Sequence, residues 1–212
     1  MEIEMKYAIS TTDTVDHIWN DSWLKEMEEV NTREKIYMKA SYFDTEDYIL
    51  SKNDIAFRIR MEGNRIVASL KWNGESTDGL HTREEINVPV NDEACFILPN
   101  PEIFKESEPG KEMLGVLQGR PLHSILETRF LRSKFRIDTG TTLCELSLDT
   151  GEIVTDFGNS PICELELELF SGDQDELLQI GKKIAEKYHL EPENRSKYVR
   201  GLKLLQDNEY LD

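Results

Sequence analysis

Polar and apolar residues alternate with a period of two along most of this chain, and in a β-strand that period sends successive side chains to opposite faces. Residues 2 to 7 read Glu-Ile-Glu-Met-Lys-Tyr. Similar patterning predicts strands over Lys35 to Phe43, Ile55 to Met61, Ile66 to Trp72, Arg83 to Val90, Thr128 to Asp138, Thr142 to Thr150 and Ile162 to Phe170. Glu62-Gly63-Asn64-Arg65 reads as a hairpin turn, and Thr139-Gly140 and Thr150-Gly151 as turns between later strands. Helical spacing predicts a helix over Thr14 to Glu28, with Val15, Ile18, Trp19 and Met27 on its apolar face. A second helix carries Leu177, Ile180, Ile184 and Tyr188, and a last one runs from about Asn194 to Leu205 beyond the interruption at Glu191-Pro192-Glu193. From Leu98 to Pro121 the prolines and glycines mark loops around one or two short helices, an insertion within one sheet system.

The chain's 212 residues suit a single domain covering 1–212 with one substantial core. No stretch approaches the ~20 apolar residues that span a bilayer, so a soluble, cytoplasmic protein is expected, without membrane partners. A net charge of −17 argues against DNA, RNA or anionic lipid as partners. It leaves room for a small anion held by locally concentrated cations. Cys95, Cys144 and Cys163 lack CxxC spacing, and His17, His81, His123 and His189 form no metal-ligand pair, so these read as reduced thiols and as satisfied or surface imidazoles.

The charges on the predicted strands are sorted by sign. The polar phase carries Glu2, Glu4 and Lys6; Arg58 and Arg60; Lys71; Arg83 and Glu85; Arg132, Lys134 and Arg136; Glu145 and Asp149; then Glu164, Glu166 and Glu168. Phe57, Ile59, Leu131, Phe135, Ile137, Leu165, Leu167 and Leu169 fill the opposite phase. An alternating strand usually turns its polar face to water. A solvated surface, however, intersperses signs, because like charges side by side on a sheet repel. Cationic and acidic strands on one face of a curved sheet suit a polyphosphate bound with a divalent metal: phosphate takes Arg and Lys, and Mg²⁺ or Mn²⁺ takes carboxylate oxygens.

Glu2-Ile3-Glu4-Met5-Lys6 matches the ExExK signature of the CYTH family, the triphosphate tunnel metalloenzymes. Tyr42-Phe43-Asp44-Thr45, Phe57-Arg58-Ile59-Arg60, Leu70-Lys71, Arg83-Glu84-Glu85, Glu164 to Glu168 and Ser196 to Gly201 resemble further family landmarks, in order along nearly the whole chain. The resemblance implies an α+β fold: an antiparallel eight-stranded closed β-barrel, or tunnel, with a charged interior and helices packed outside. By position Glu2, Glu4, Asp149, Glu164 and Glu166, together with Glu168 and Glu85, resemble the family's metal-binding carboxylates. Lys6, Arg58, Arg60, Lys71, Arg132 and Lys197 resemble its triphosphate-binding cations, and Arg83 and Lys134 join them as substrate-binding candidates. Arg129 competes with Arg132, and strand parity favours Arg132. Arg200 lies one helical turn beyond Lys197, so it suits either the tunnel mouth or the surface.

The expected activity is that of a metal-dependent triphosphatase with Mg²⁺ or Mn²⁺ as cofactor. Water would attack the terminal phosphorus of a small-molecule triphosphate, with cations stabilising the charge. Lys71, ringed by cations, and Tyr42 are the candidates for activating that water. No GxxxxGK[ST] loop is present. The segments Ile55 to Arg60 and Gly79 to Glu85 look most like bacterial inorganic triphosphatases, which favours inorganic tripolyphosphate. Class IV adenylate cyclase, thiamine triphosphatase and a noncatalytic polyphosphate-binding module are the alternatives. Trp72, Phe43 or Tyr48 would supply stacking surface for a base or ring.

Overall fold

In a computed structural model that describes residues 1–209, the alternating segments form one antiparallel sheet. The strands are β1 (Glu2–Ala8), β2 (Glu34–Asp44), β3 (Ala56–Glu62), β4 (Arg65–Thr77), β5 (Leu80–Val90), β6 (His123–Asp138), β7 (Leu143–Thr155) and β8 (Gly158–Ser171), with a two-residue β9 (Glu191–Pro192) beside β1. Their order is β5-β4-β3-β2-β6-β7-β8-β1, and β1 pairs again with β5 through Glu2 opposite Arg83 and Glu4 opposite His81. That last pairing closes an eight-stranded barrel and leaves no long free edge.

Closure sets which phase lies inside. The apolar phase of β1, β6, β7 and β8 points outward and is covered by α1 (Thr12–Trp19), α2 (Ser22–Met27) and α4 (Gln174–Tyr188). Val15, Ile18, Leu24, Leu177, Ile180 and Ile184 pack there on Met5, Tyr7, Phe135, Ile137, Leu146, Leu165 and Leu167. The 98–121 insertion supplies a 3-10 turn at Pro101–Phe104 and α3 (Glu108–Leu117). Phe104, Met113 and Leu117 cover Phe57, Ile59, Ala68 and Leu70 of β3 and β4. Burying one such large apolar side chain contributes about 1.5–3 kcal/mol, so the outer layer rather than the charged lumen holds the barrel together. α5 (Lys197–Glu209) lies differently, outside the strands but across one end of the barrel. Its Tyr198 and Leu205 meet Leu126, Phe130, Ile153 and Ile162, which share the strand phases of the charged residues.

Three expected elements are redrawn. The helix expected over 14–28 is two helices, because Asp21 caps the second: its carboxylate accepts from the N–H groups of Trp23 (2.8 Å) and Leu24 (3.1 Å). Thr150-Gly151 is not a turn. Gly151 sits inside β7 opposite Phe130, where a Cβ would lie 2.1 Å from the Arg129 carbonyl oxygen, so its bare backbone permits a close approach of two strands. The chain reverses later, between Thr155 and Gly158. β4 also runs on past Trp72 to Thr77, with a bulge between Trp72 and Glu75.

Candidate active site

The lumen holds a cavity of about 170 Å³ walled by side chains from β1 to β6, β8 and the start of α5. Strand alternation puts them there. β1 contributes Glu2, Glu4 and Lys6, β3 Arg58 and Arg60, β4 Lys71, β5 Arg83 and Glu85, β6 Arg132, β8 Glu166 and Glu168, and α5 Lys197. Cations outnumber carboxylates along this wall. In a protein of net charge −17, basic groups are therefore concentrated where a small anion would sit.

The ions are paired in three clusters. Lys71 Nζ lies 2.7 Å from Glu2 and 3.3 Å from Glu85, and Arg58 lies 3.4 Å from Glu85. Lys6 bridges Glu4 (3.2 Å) and Glu166 (3.1 Å). Arg132 forks onto Asp149 through two bonds of 2.8 and 2.7 Å and reaches Glu166 at 2.5 Å. Lys197 contacts Asp149 (2.7 Å), Glu166 (2.9 Å) and Glu164, and Arg60 pairs with Glu62. Asp149 and Glu164 are fully buried. Taking such charges out of water costs several kcal/mol per ion. A lattice of buried charge therefore marks a site more than a source of stability.

Proton affinities follow the neighbours. Burial disfavours the Lys6 ammonium, but Glu4, Glu166 and Glu164 outweigh it and hold its pKa well above the ordinary lysine value. Burial opposes ionisation of Glu85 as well, yet Lys71, Arg58 and Arg60 pull it down to about 2. Glu166 is held well below the carboxylate range, its burial overcome by Lys197, Lys6 and Arg132. Glu168 goes the other way, raised to about 8 by burial and by Glu2 and Glu4. Tyr42 is half of a stacked pair with Tyr198, ring centres 5.0 Å apart. Burial resists its ionisation, but Arg58, Lys71 and Lys197 bring its pKa below that of a free phenol. Burial and Lys6 lower the pKa of His81, whose Nε2 lies 2.7 Å from the Glu193 carbonyl oxygen.

Of the seven carboxylates expected as metal ligands, Glu85 is taken up by Lys71 and Arg58, and the other six fall into two groups. Asp149, Glu164 and Glu166 each bring an oxygen within 4.8 Å of the others, an acidic cluster that could hold a metal ion, but Lys197 and Arg132 already reach into it. Glu2, Glu4 and Glu168 line the cavity, and burial together with repulsion from Glu2 and Glu4 lifts Glu168 to about 8. Lys71 and Lys6 pair with Glu2 and Glu4, while Glu168 makes no ion pair among the described residues, and the three together offer the hard oxygens a divalent cation takes. Among the expected substrate-binding residues, Lys6, Arg58, Arg60, Lys71, Arg83, Arg132 and Lys197 converge on the cavity. Lys134 does not: its Nζ is bound to Glu145 at 3.1 Å. Arg200 turns to Glu164 and lines a separate outer hollow with Arg195 and Lys203. Arg132 faces in, whereas Arg129 is exposed and bonded to Glu127. Lys71 is flanked by two carboxylates rather than ringed by cations. Sequence reasoning passed over Glu75, His81, Asn87, Thr128 and Phe130 as cavity residues. Parity would have found most of them, since His81 and Asn87 share the phase of Arg83 and Glu85, and Thr128 and Phe130 that of Arg132.

The CYTH domain matches residues 1–202, nearly the whole chain. This chain belongs to the CYTH family. An inorganic triphosphatase of Haemophilus influenzae is 27% identical over 215 residues, covering 99% of this chain and 56% of that protein, so the chain spans little more than half of this relative's length. Among solved structures, HpAC1 of Hippeastrum, a putative adenylyl cyclase described as having a dominant triphosphatase activity, superposes with a TM-score of 0.71 at 19% identity, over 93% of each chain. PH1819 of Pyrococcus horikoshii superposes at 0.57 and 19% identity, covering 96% of this chain and 99% of its own. At these identities the structures speak for the fold. Among the described residues no helix of this CYTH protein is long and apolar enough to cross a membrane.

Proposed function

We propose that this CYTH domain hydrolyses the terminal anhydride of a small-molecule triphosphate inside the barrel, with inorganic tripolyphosphate as the preferred substrate. The observation that carries the reading is the lumen itself, where Lys6, Arg58, Arg60, Lys71, Arg132 and Lys197 converge on one cavity with Glu2, Glu4 and Glu168. The Haemophilus relative's activity points the same way.

The chain's own residues account for most of the chemistry. Arginine forks and lysine ammoniums bind the equatorial phosphoryl oxygens and stabilise the charge on the group in transfer, while the barrel wall excludes bulk water. Burial works against the charges of Lys6, Arg132 and Lys197, but the carboxylates around them hold their pKa values above the ordinary ones, so these groups bind rather than relay protons. Tyr42, its proton loosened by Arg58, Lys71 and Lys197, is the general base for the attacking water, and Lys71 orients substrate beside it. A divalent ion, Mg²⁺ or Mn²⁺, would be held by Glu2, Glu4 and Glu168 with Glu166 adjoining, and when bound it neutralises phosphate charge as a Lewis acid. Asp149 and Glu164 act behind the wall by orienting Arg132, Lys197 and Arg200.

Substrate profiling tests the reading. Orthophosphate release is followed from tripolyphosphate, ATP and thiamine triphosphate, with Mg²⁺ or Mn²⁺ and with EDTA. The expected order places tripolyphosphate first, with activity lost in EDTA. Cyclic AMP formed from ATP would point to a cyclase, and binding without turnover of any substrate to a noncatalytic module.

A further inference from the structure

β4 and β5 form a regular ladder except where the register shifts between Trp72 and Glu75. There Asn73 takes a left-handed φ of 50° and Gly74 follows, its N–H donated to Asp54 Oδ2 at 3.1 Å. The Arg83 guanidinium is pressed against the bare side of Gly74. A Cβ at 74 would lie 2.4 Å from Nη2, 2.6 Å from Nε and 2.9 Å from Cζ of Arg83, far inside contact distance. Any side chain at 74 would evict the guanidinium from this position.

That position matters because the other Lys and Arg side chains on the cavity wall are committed. Lys6, Arg58, Arg60, Lys71, Arg132 and Lys197 all contact carboxylates. Arg83 lines the same cavity, yet among the described residues its guanidinium makes no ion pair or hydrogen bond. A guanidinium carries five donors in a fixed fork that matches phosphate oxygens. Here the fork is free, aligned by backbone contact, and set in a wall whose other cations already contact carboxylates.

We propose that Gly74 is a positioning residue that holds Arg83 as the tunnel's uncommitted anion receptor, and that the pair selects fully inorganic polyphosphate chains over triphosphate monoesters. The proposal rests on the tunnel being the triphosphatase site. Both ends of an inorganic chain are charged phosphates, whereas a monoester carries an ester at one end. An added receptor for the second charged end is satisfied by tripolyphosphate and left unpaired by ATP, and sites built to pair a group discriminate against ligands that lack it.

The test is a double-mutant cycle on Gly74→Ala and Arg83→Gln, with tripolyphosphate and ATP as substrates, Mg²⁺ present, and a thermal melt of each protein. Gly74 lies outside the left-handed region and the atoms that alanine would meet end a flexible side chain, so the melt should stay near native. Gly74→Ala is expected to raise KM for tripolyphosphate about 10-fold, the worth of a charge-assisted contact, with kcat much less affected and ATP nearly unchanged. In the Arg83→Gln background the alanine should add nothing, the mark of action through Arg83 alone. An undiminished alanine effect in that background, equal losses for both substrates, or an unchanged KM would overturn the proposal. If Gly74→Ala does not fold, Arg83→Gln alone still carries the selectivity test. Native turnover with selectivity unaltered by either substitution sinks only this inference, whereas a native protein that hydrolyses no triphosphate sinks the triphosphatase reading and this one with it.

Discussion

At the scale of single residues, function here depends on what each charge is paired with. Glu85 and Glu168 are both half-buried carboxylates on the lumen wall, yet one is pulled down to about 2 by Lys71, Arg58 and Arg60 and the other pushed up to about 8 by burial beside Glu2 and Glu4. Identity and parity placed both on the wall, but partners decide their roles, and partners come from strands far apart in the chain. Tyr42 is the sharpest case. Alternation alone does not separate it from a core tyrosine, and the family resemblance singled it out; in the barrel, against its burial, three cations loosen its phenolic proton. Tyr42→Phe keeps the stack on Tyr198 and removes that proton acceptor. It should lower kcat on tripolyphosphate by about 100-fold, the scale of a lost general base. The rise of kcat with pH through the Tyr42 ionisation should vanish with it, and an unaltered pH profile would remove Tyr42 from the chemistry.

At the scale of elements, alternation located the long strands, while their ends and interruptions were set by tertiary contacts. The break between α1 and α2 is one such contact. Asp21 caps α2 and also accepts from Lys187 at 2.5 Å and from the Tyr188 hydroxyl, tying α2 to α4. Its burial would raise the carboxyl pKa, but Lys187, Tyr188 and the helix N–H groups bring it below the ordinary value. A depressed folded pKa stabilises the native state above the unfolded value, about 4, and that contribution fades as pH falls through the folded one. Asp21→Ala should therefore cost about 2 kcal/mol in urea unfolding at pH 7, a deficit that shrinks progressively below pH ~4. A deficit independent of pH would mean that Asp21 acts by packing alone.

Glycines give a second pair of outcomes at this scale. Gly151 reads as a turn residue in isolation, because its neighbour across the sheet is 21 residues away, opposite Phe130. Gly151→Ala should destabilise by about 1–3 kcal/mol, since the Cβ meets backbone that cannot yield. Gly115, exposed in α3 with nothing near its Cβ position, should do the reverse: alanine there is expected to stabilise by about 0.5–1 kcal/mol. Thermal melts of the two variants check both signs.

At the scale of the whole molecule, the strand patterning left one question open: whether the charged phase faces water or a lumen. The pattern is the same in either case. Closure of β1 on β5 answers it, and that pairing joins residues about 80 positions apart, beyond anything a local pattern records. The resemblance of Glu2-Ile3-Glu4-Met5-Lys6 and its companion motifs to the CYTH family supplied the topology that periodicity lacked. Once closed, the barrel of this chain of net charge −17 gathers cations inside and leaves the excess carboxylates largely outside, the arrangement the proposed polyanionic substrate requires.

The central claim is that Glu2, Glu4 and Glu168 bring a metal to a triphosphate held by the tunnel's cations. It is tested most directly by orthophosphate release from tripolyphosphate, measured with Mg²⁺ for the native protein and for Glu4→Gln, which removes one charge with almost no change of shape. The native protein should turn over and lose activity in EDTA, while Glu4→Gln should fold normally and fall below about 1% of native activity, the scale of a lost electrostatic contact in the transition state. Equal turnover by the two proteins, or native turnover indifferent to EDTA, would contradict the account.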